Sequence, residues 1–370
     1  MVRAFVATLL LSTYFLPSVG AESIQDLTKT IRAVEVNGQG HPAAIAAWKE
    51  LSQAPADQLP VVLAGMDGAN KLAVNWLRAA ADTIAQRQIR AGQKLPIEGL
   101  EAFIADHDHH PRARRTAYEL ILLVDQTAKQ RIIPQLLNDP SLELRRDAVA
   151  DLLQKAAALQ AKDEASAAFR KALSSARDLD QIDLATDKLR EAGETVDLPV
   201  HFGFLMKWDL VGPFDNSEKK GFDVAYPPEK AVDLTASYDG KDGEVKWFQY
   251  ATTNEYGVVD LNEVLDKHKG AIVYAHASYV ADEARPIEIR LGCINGNKIW
   301  LNGKLLTQNH VYHASTSIDQ YIAAGTLKAG VNHILIKVAQ NEQTDSWAQR
   351  WQFQLRVCDQ YGTAVLGSNR

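Results

Sequence analysis

The chain has 370 residues, with 40 Lys and Arg against 46 Asp and Glu, and a formal net charge of −6. That balance gives no basic field for nucleic acid, and two cysteines in this length exclude a disulfide-stapled scaffold. The length suits two domains, each large enough for its own core.

At the N-terminus Arg3 precedes an apolar run from Ala4 to Leu16, broken by Pro17 and Ser18, with the small residues Val19-Gly20-Ala21 behind it. A run of this length is too short to span a bilayer and reads as a signal peptide covering residues 1–21. Its removal takes Arg3 away and moves the formal charge to −7. No Cys follows the run, so no lipid anchor is expected, and no later stretch is apolar enough to cross a membrane. The expected location is periplasmic or secreted.

Residues 22–195 read as an all-α domain. Ser23 caps a helix that stops before Asn37-Gly38, Pro42 opens the next, Ala69 to Ala91 form a longer one ended by Gly92, and Pro96 opens another to about Asp106. Arg114-Arg115-Thr116-Ala117 and Arg145-Arg146-Asp147-Ala148 then recur 31 residues apart, each with an Asp seven residues ahead of its second Arg (Asp108 and Asp139) and an apolar helix behind it. The pattern resembles HEAT-like helical repeats, in which helix pairs stack because neither can bury its apolar face alone. An irregular helical bundle is the alternative. His107, His109 and His110 beside Asp106 and Asp108 have the side chains of a metal site. Their place in the turn between repeats, before Pro111, makes helix capping the better reading, and no metal or cofactor is expected. The arginines of the repeat are expected to pair with acidic side chains of adjacent repeats or to lie on a solvated face.

Near residue 196 the composition changes to Trp, Gly and alternating strands, with Thr195 to Pro199 as the joint. Residues 200–365 read as an antiparallel β-sandwich or jelly roll: Phe204 to Leu210, Ile334 to Val338 and Trp351 to Val357 each alternate with period two. Asn295-Gly296 and Asn302-Gly303 are expected to make two tight primed turns flanking a short middle strand, Lys298 to Leu301. Cys293 shares the apolar face of its strand and Cys358 the polar face of its own, which disfavours a disulfide.

Trp208-Asp209-Leu210-Val211-Gly212-Pro213-Phe214, Gly221-Phe222-Asp223, Pro227-Pro228-Glu229, Trp300-Leu301-Asn302-Gly303-Lys304 and Gly330-Val331-Asn332 carry a second resemblance. Residues 203–360 look like the galactose-binding-like jelly-roll module, similar to the sugar-binding domain of family-two glycoside hydrolases. Where that module is expected to carry Asp-Asp-Gly before the Trp-x-Asn-Gly hairpin, this chain has Ile294-Asn295-Gly296. The motif residues specify scaffold, and ligands sit on variable loops.

No Gly-x-Ser-x-Gly, His-Glu-x-x-His, P-loop or haem-attachment signature occurs. The reading is therefore an exported, non-catalytic binding protein whose sandwich takes a carbohydrate or a cell-surface polysaccharide. Its helical part would be a scaffold or a protein-docking surface. The alternatives are an adaptor that binds no sugar and a glycan-active enzyme. Sugar faces stack on exposed rings beside polar groups. Among the loop aromatics Trp247, Tyr250, Tyr256, His310, Tyr312 and His313, the best candidates are Trp247, His310 and Tyr312, with Asn309 as a hydroxyl partner.

Overall fold

The structure, a computed structural model, describes residues 23–369. The proposed signal peptide lies outside the described residues. The chain divides into two compact units, the first ending at Ala148 and the second beginning at Val149.

The first unit is helical: α1 (Ile24–Arg32), α2 (His41–Leu51), α3 (Leu59–Ala64), α4 (Lys71–Arg90), α5 (Ile97–Ala105), α6 (Pro111–Leu122), α7 (Ala128–Ile132) and the first turns of α8 (Leu142–Ala158). Local chemistry sets the ends. Ser23 Oγ accepts from Asp26 N at 3.1 Å and Asn70 Oδ1 from Ala73 N at 2.9 Å, each supplying a partner that the first turn of a helix lacks. Asn37 and Gly38 both take positive φ after α1. Ile31, Leu51, Leu63, Leu77, Ile84, Leu100 and Ile121 are fully buried and form the core.

The recurring Arg motif is spent inside this unit. Arg114, with no exposed surface, donates through Nη1 and Nη2 to the two carboxylate oxygens of Asp139 at 2.7 and 2.6 Å, and through Nε to Ile104 O at 2.7 Å. Arg112 pairs with Glu143, and Arg115 with Asp147. Each of these ion pairs runs from α6 to the following Asp turn or to α8. The histidines between α5 and α6 are engaged too. His109 stacks on Phe103 at 3.8 Å with Nδ1 2.8 Å from Asp67, and His110 Nδ1 accepts from Arg112 N as Pro111 starts α6. Among the described residues no group of three or more His, Cys, Asp or Glu side chains could hold a metal ion.

The second unit takes the rest of α8, then α9 (Lys162–Ser175), α10 (Leu179–Glu191) and α11 (Leu198–Phe202) before the strands begin. Composition changes at residue 196, shortly before the last helix of this stretch, α11, and the first strand, but α10 and the turn between α9 and α10 are tied to the strand-rich region. Tyr256 Oη donates to Asp183 at 2.8 Å, Arg177 to Thr363 Oγ1 at 2.9 Å, and Arg190 pairs with Glu255.

The strands are β1 (Lys207–Asp215), β2 (Ser237–Gly240), β3 (Gly243–Lys246), β4 (Phe248–Ala251), β5 (Val259–Asp260), β6 (Ala271–Ala281), β7 (Arg285–Cys293), β8 (Gly296–Leu301), β9 (Lys304–Asn309), β10 (Tyr321–Leu327), β11 (Gly330–Gln340) and β12 (Gln352–Cys358). Short helices α12 (Pro227–Lys230) and α13 (Leu261–Val264) interrupt them. All pairings are antiparallel, in a six-stranded sheet β4-β1-β6-β11-β8-β9, a four-stranded sheet β10-β7-β12-β5 and the small hairpin β2-β3. The two large sheets share one core: Trp208, Leu210, Val273, Ala275, Ile299, Ile334 and Ile336 from the first, and Ile287, Ile289, Leu291, Phe353, Leu355 and Val357 from the second. The period-two pattern places these residues on one face.

Two details depart from the sequence reading. Asn302 and Gly303 do make the expected turn, with φ of 52° and 79°, and join β8 to β9. Asn295-Gly296 makes no hairpin, because β7 and β8 belong to different sheets. Asn295 is fully buried, its Nδ2 donating to Gln340 Oε1 at 3.0 Å and to Arg350 O at 3.3 Å. Its polar side chain anchors the step between layers, a role that turn statistics do not reveal. The polar face of β12 is also buried. Arg356 donates to Asp319, to Phe202 O and to Gly362 O, and Arg290 shares the same Asp319. Both cysteines are free and buried.

Candidate functional site

The outer face of the six-stranded sheet is covered by the excursion between β1 and β4. A second core forms there from Val211, Phe214, Phe222, Ile272, Tyr274, Trp300, Leu335 and Ala339, with Tyr226, Tyr238, Trp247 and Tyr312 packed on it. Alternation along the strands dictates this: Tyr274, Leu335 and Trp300 point opposite to their neighbours in the inter-sheet core. A buried lysine belongs to this face. Lys337 Nζ donates to Glu229 Oε1 at 2.8 Å, to Phe222 O at 2.9 Å and to Val224 O at 2.8 Å, and Glu229 also accepts from Tyr274. Burial lowers the Lys337 pKa, while the Glu229 carboxylate opposes that shift. The bonds fasten the excursion to β11.

At one end of this face the loops bring five rings into a chain. Phe222 and His310 stack at 4.0 Å with 2° between their planes, His310 meets Tyr312 edge-on at 5.4 Å, Tyr312 lies 6.5 Å from His313, and His313 meets Trp347 edge-on at 5.3 Å. Phe222 is set by the 3-10 turn Ser217–Phe222. A Cβ on Gly221 would come within 2.0 Å of Asp215 O, so the turn closes only on glycine. Trp347, on a short 3-10 turn between β11 and β12, is 59% exposed.

Polar groups interleave with the rings. Asn216 Nδ2 donates to Tyr312 Oη at 3.1 Å and to Gln340 O at 2.9 Å, and His313 Nε2 bonds Asn341 Oδ1 at 2.7 Å. Lys219 Nζ lies 5.5 Å from the Tyr312 ring centroid. Burial raises the Tyr312 pKa; the Asn216 bond opposes this, and the Asp223 and Glu342 carboxylates add to it. Two buried polar atoms of the cluster, Asn216 Oδ1 and His313 Nδ1, have no hydrogen-bond partner. The arrangement suits a ligand with one apolar face and several hydroxyls.

Of the residues named from sequence, the structure brings His310 and Tyr312 together, with Asn309 next to His310 in the chain. Asn309 ends β9 and donates to Asn297 Oδ1 at 3.0 Å. Trp247 stands elsewhere. It is half-buried, donates to Tyr238 Oη at 3.3 Å and lies edge-on to His276 at 6.3 Å. The pairing register puts His276 beside Leu335 and Trp300, and Ile272 beside Ala339 and Gly296, which Tyr312 and Phe222 flank. Four residues along a strand span about 13 Å, so Trp247 and Tyr312 occupy different regions of the face. Tyr256 is bound to Asp183. Phe222 and Trp347 were not among the named candidates. For Trp347 a signal exists in the sequence: an aromatic inside the patternless polar stretch Gln343 to Arg350.

No family model and no curated protein sequence matches the chain. Among solved structures, a β-glucosidase from Kluyveromyces marxianus in complex with glucose is 13% identical, with a TM-score of 0.27, over 76% of this chain and 35% of that one. A β-glucuronidase from an uncultured Clostridium species is 15% identical, with a TM-score of 0.23, over 42% and 29%. An α-xylosidase from Xanthomonas citri is 10% identical, with a TM-score of 0.18, over 30% and 15%. The chain spans about a third or less of the length of these proteins, and overlaps this slight carry no inference about ligand or activity.

Proposed function

We propose that the chain is an exported, non-catalytic carbohydrate-binding protein, with residues 200–365 built as a galactose-binding-like module and residues 22–195 as a HEAT-like scaffold. The observation that carries the reading is the ring platform ending in Trp347, with His310, Tyr312 and His313 continuous with it and Asn216 and Asn341 bonded beneath its polar edges. An exposed indole is costly in water and gains from covering a sugar's C–H face. Amide and imidazole groups alongside select hydroxyls. The leader-like residues 1–21 support export to the periplasm or beyond, where polysaccharide is within reach. The helical unit would present the module or dock a protein partner.

A shallow site of this kind binds weakly, with Kd in the micromolar to millimolar range, about −8 to −4 kcal/mol. The test is glycan-array screening of the chain without residues 1–21, followed by calorimetric titration of the best ligand. Binding is expected to fall at least tenfold in Trp347→Ala, with a melting temperature close to the parent's, and in Tyr312→Ala, with a lower one because that ring packs on the second core. A folded protein that binds no neutral, acidic or amino sugar would leave the adaptor reading in its place.

A further inference from the structure

A cavity of about 250 Å³ lies on the outer face of the six-stranded sheet, away from the loop platform, between the α12 segment and the strands β8 and β11. Its apolar lining is Trp300, Leu335 and Val232. Its polar lining includes Lys230, Lys328, Glu229 and His333. The charge is lopsided. Glu229 is already compensated by the buried Lys337, while Lys230 and Lys328 are both exposed at the cavity. Two lysines therefore line the space without a carboxylate of the cavity to match them.

His333 has a defined chemistry. Asp209 Oδ2 lies 3.1 Å from His276 Nδ1, and His276 Nε2 lies 3.1 Å from His333 Nδ1. A carboxylate only accepts, so His276 carries its proton on Nδ1 and offers Nε2 as an acceptor. His333 must then donate through Nδ1, which leaves its Nε2 as a lone-pair acceptor. His276 is 1% exposed, and burial lowers its pKa against the pull of Asp209, which favours the neutral ring at this position. The exposed ring at the end of the relay is thus fixed in tautomer and orientation, as in histidines whose second nitrogen is held by a carboxylate.

We propose that this cavity is a binding site for a monosaccharide-sized hydroxy acid of the sugar-acid class. The ligand carboxylate pairs with Lys230 and Lys328, one hydroxyl donates to His333 Nε2, and the C–H face meets the apolar lining formed by Trp300, Leu335 and Val232. The volume is below that of drug-sized pockets and fits a single pyranose ring. The lysines select the anion; the oriented histidine requires a ligand hydroxyl. The site shares no residue with the Trp347 platform, so it stands or falls independently of the function proposed above.

The experiment is calorimetric or NMR titration of the full chain with sodium D-galacturonate, with D-galactose as the neutral counterpart at matched ionic strength. Galacturonate is expected to bind at least tenfold more tightly than galactose. Lys328→Gln should weaken it about tenfold without a change in melting temperature, since its side chain is exposed; His333→Ala should weaken it about tenfold and also lower the melting temperature, since the buried His276 loses its partner, whereas Trp347→Ala should leave galacturonate binding unchanged. Equal affinity for the two sugars overturns the proposal, as does no saturation by either. Loss of galacturonate binding in Trp347→Ala with His333→Ala unaffected overturns it too, by placing the ligand on the platform.

Discussion

Arg114 shows how a charged residue that reads as surface becomes a core element. Its guanidinium has no exposed surface and forms a two-pronged pair with Asp139, itself 2% exposed. Asp139 Oδ1 also accepts from Ser141 N at 2.7 Å, so the carboxylate serves the turn and the arginine together. Removing one partner of a buried pair strands the other charge, at a cost of about 3–5 kcal/mol. Arg114→Ala is therefore expected to lower unfolding free energy by that amount in urea, and Arg112→Ala, whose pair with Glu143 is exposed, by less than about 1 kcal/mol. Similar losses for both would show that the buried pair has no special weight. The spacing of Asp139 and the repeated arginines was legible in the sequence. That Arg114, and not its neighbour Arg115, points into the interior was not, because adjacent helical residues differ by about 100° and the repeat alone does not say which faces in.

At the scale of elements, turn chemistry reads well only where the chain is free to choose. Asn302-Gly303 joins two neighbouring strands of one sheet, so its positive φ angles follow from the residue types. Gly303→Val must hold a β-branched residue at φ 79° and should destabilise the protein by about 1–3 kcal/mol, visible as a lower melting temperature. Gly303→Asn should be milder, because Asn tolerates the left-handed region. Equal effects would indicate that strain is not the cause. Asn295-Gly296 has the same dipeptide chemistry, yet Asn295 bonds Gln340 and Arg350 and the strand leaves for the other sheet. Partners 45 and 55 residues away decide that step, and no local pattern contains them.

At the scale of the molecule, a half-buried histidine ties stability to pH. His201, on α11, has its pKa lowered from 6.5 to about 4 by burial first and by Arg177 and Arg356 second. The unfolded chain binds the proton more readily than the folded one, so its contribution is fully present above pH 6.5 and is lost as pH falls towards 4. The loss amounts to about 3 kcal/mol at most. Urea unfolding between pH 7 and 4 should show this slope, and His201→Gln should flatten it. An unaltered slope in the variant would assign the pH dependence to other groups. The histidine sits where the helical stretch meets the strands, so acid should loosen that joint.

The sequence by itself determined the class of each stretch. Hydrophobic period, caps and turn residues are local, so they fix the long helices before residue 196, the strands that dominate after it and the Asn302-Gly303 hairpin. They also placed His310 and Tyr312 in a loop, whereas Asn309 ends β9 and spends its amide on Asn297. Tertiary structure alone decided that Trp247 stands apart from them, that Trp347 and Phe222 join them, and that Asp209, His276 and His333 form one relay. Strand order and register bring together residues as far apart as Asp209 and His333, and that order comes from how whole faces pack, which no single segment encodes.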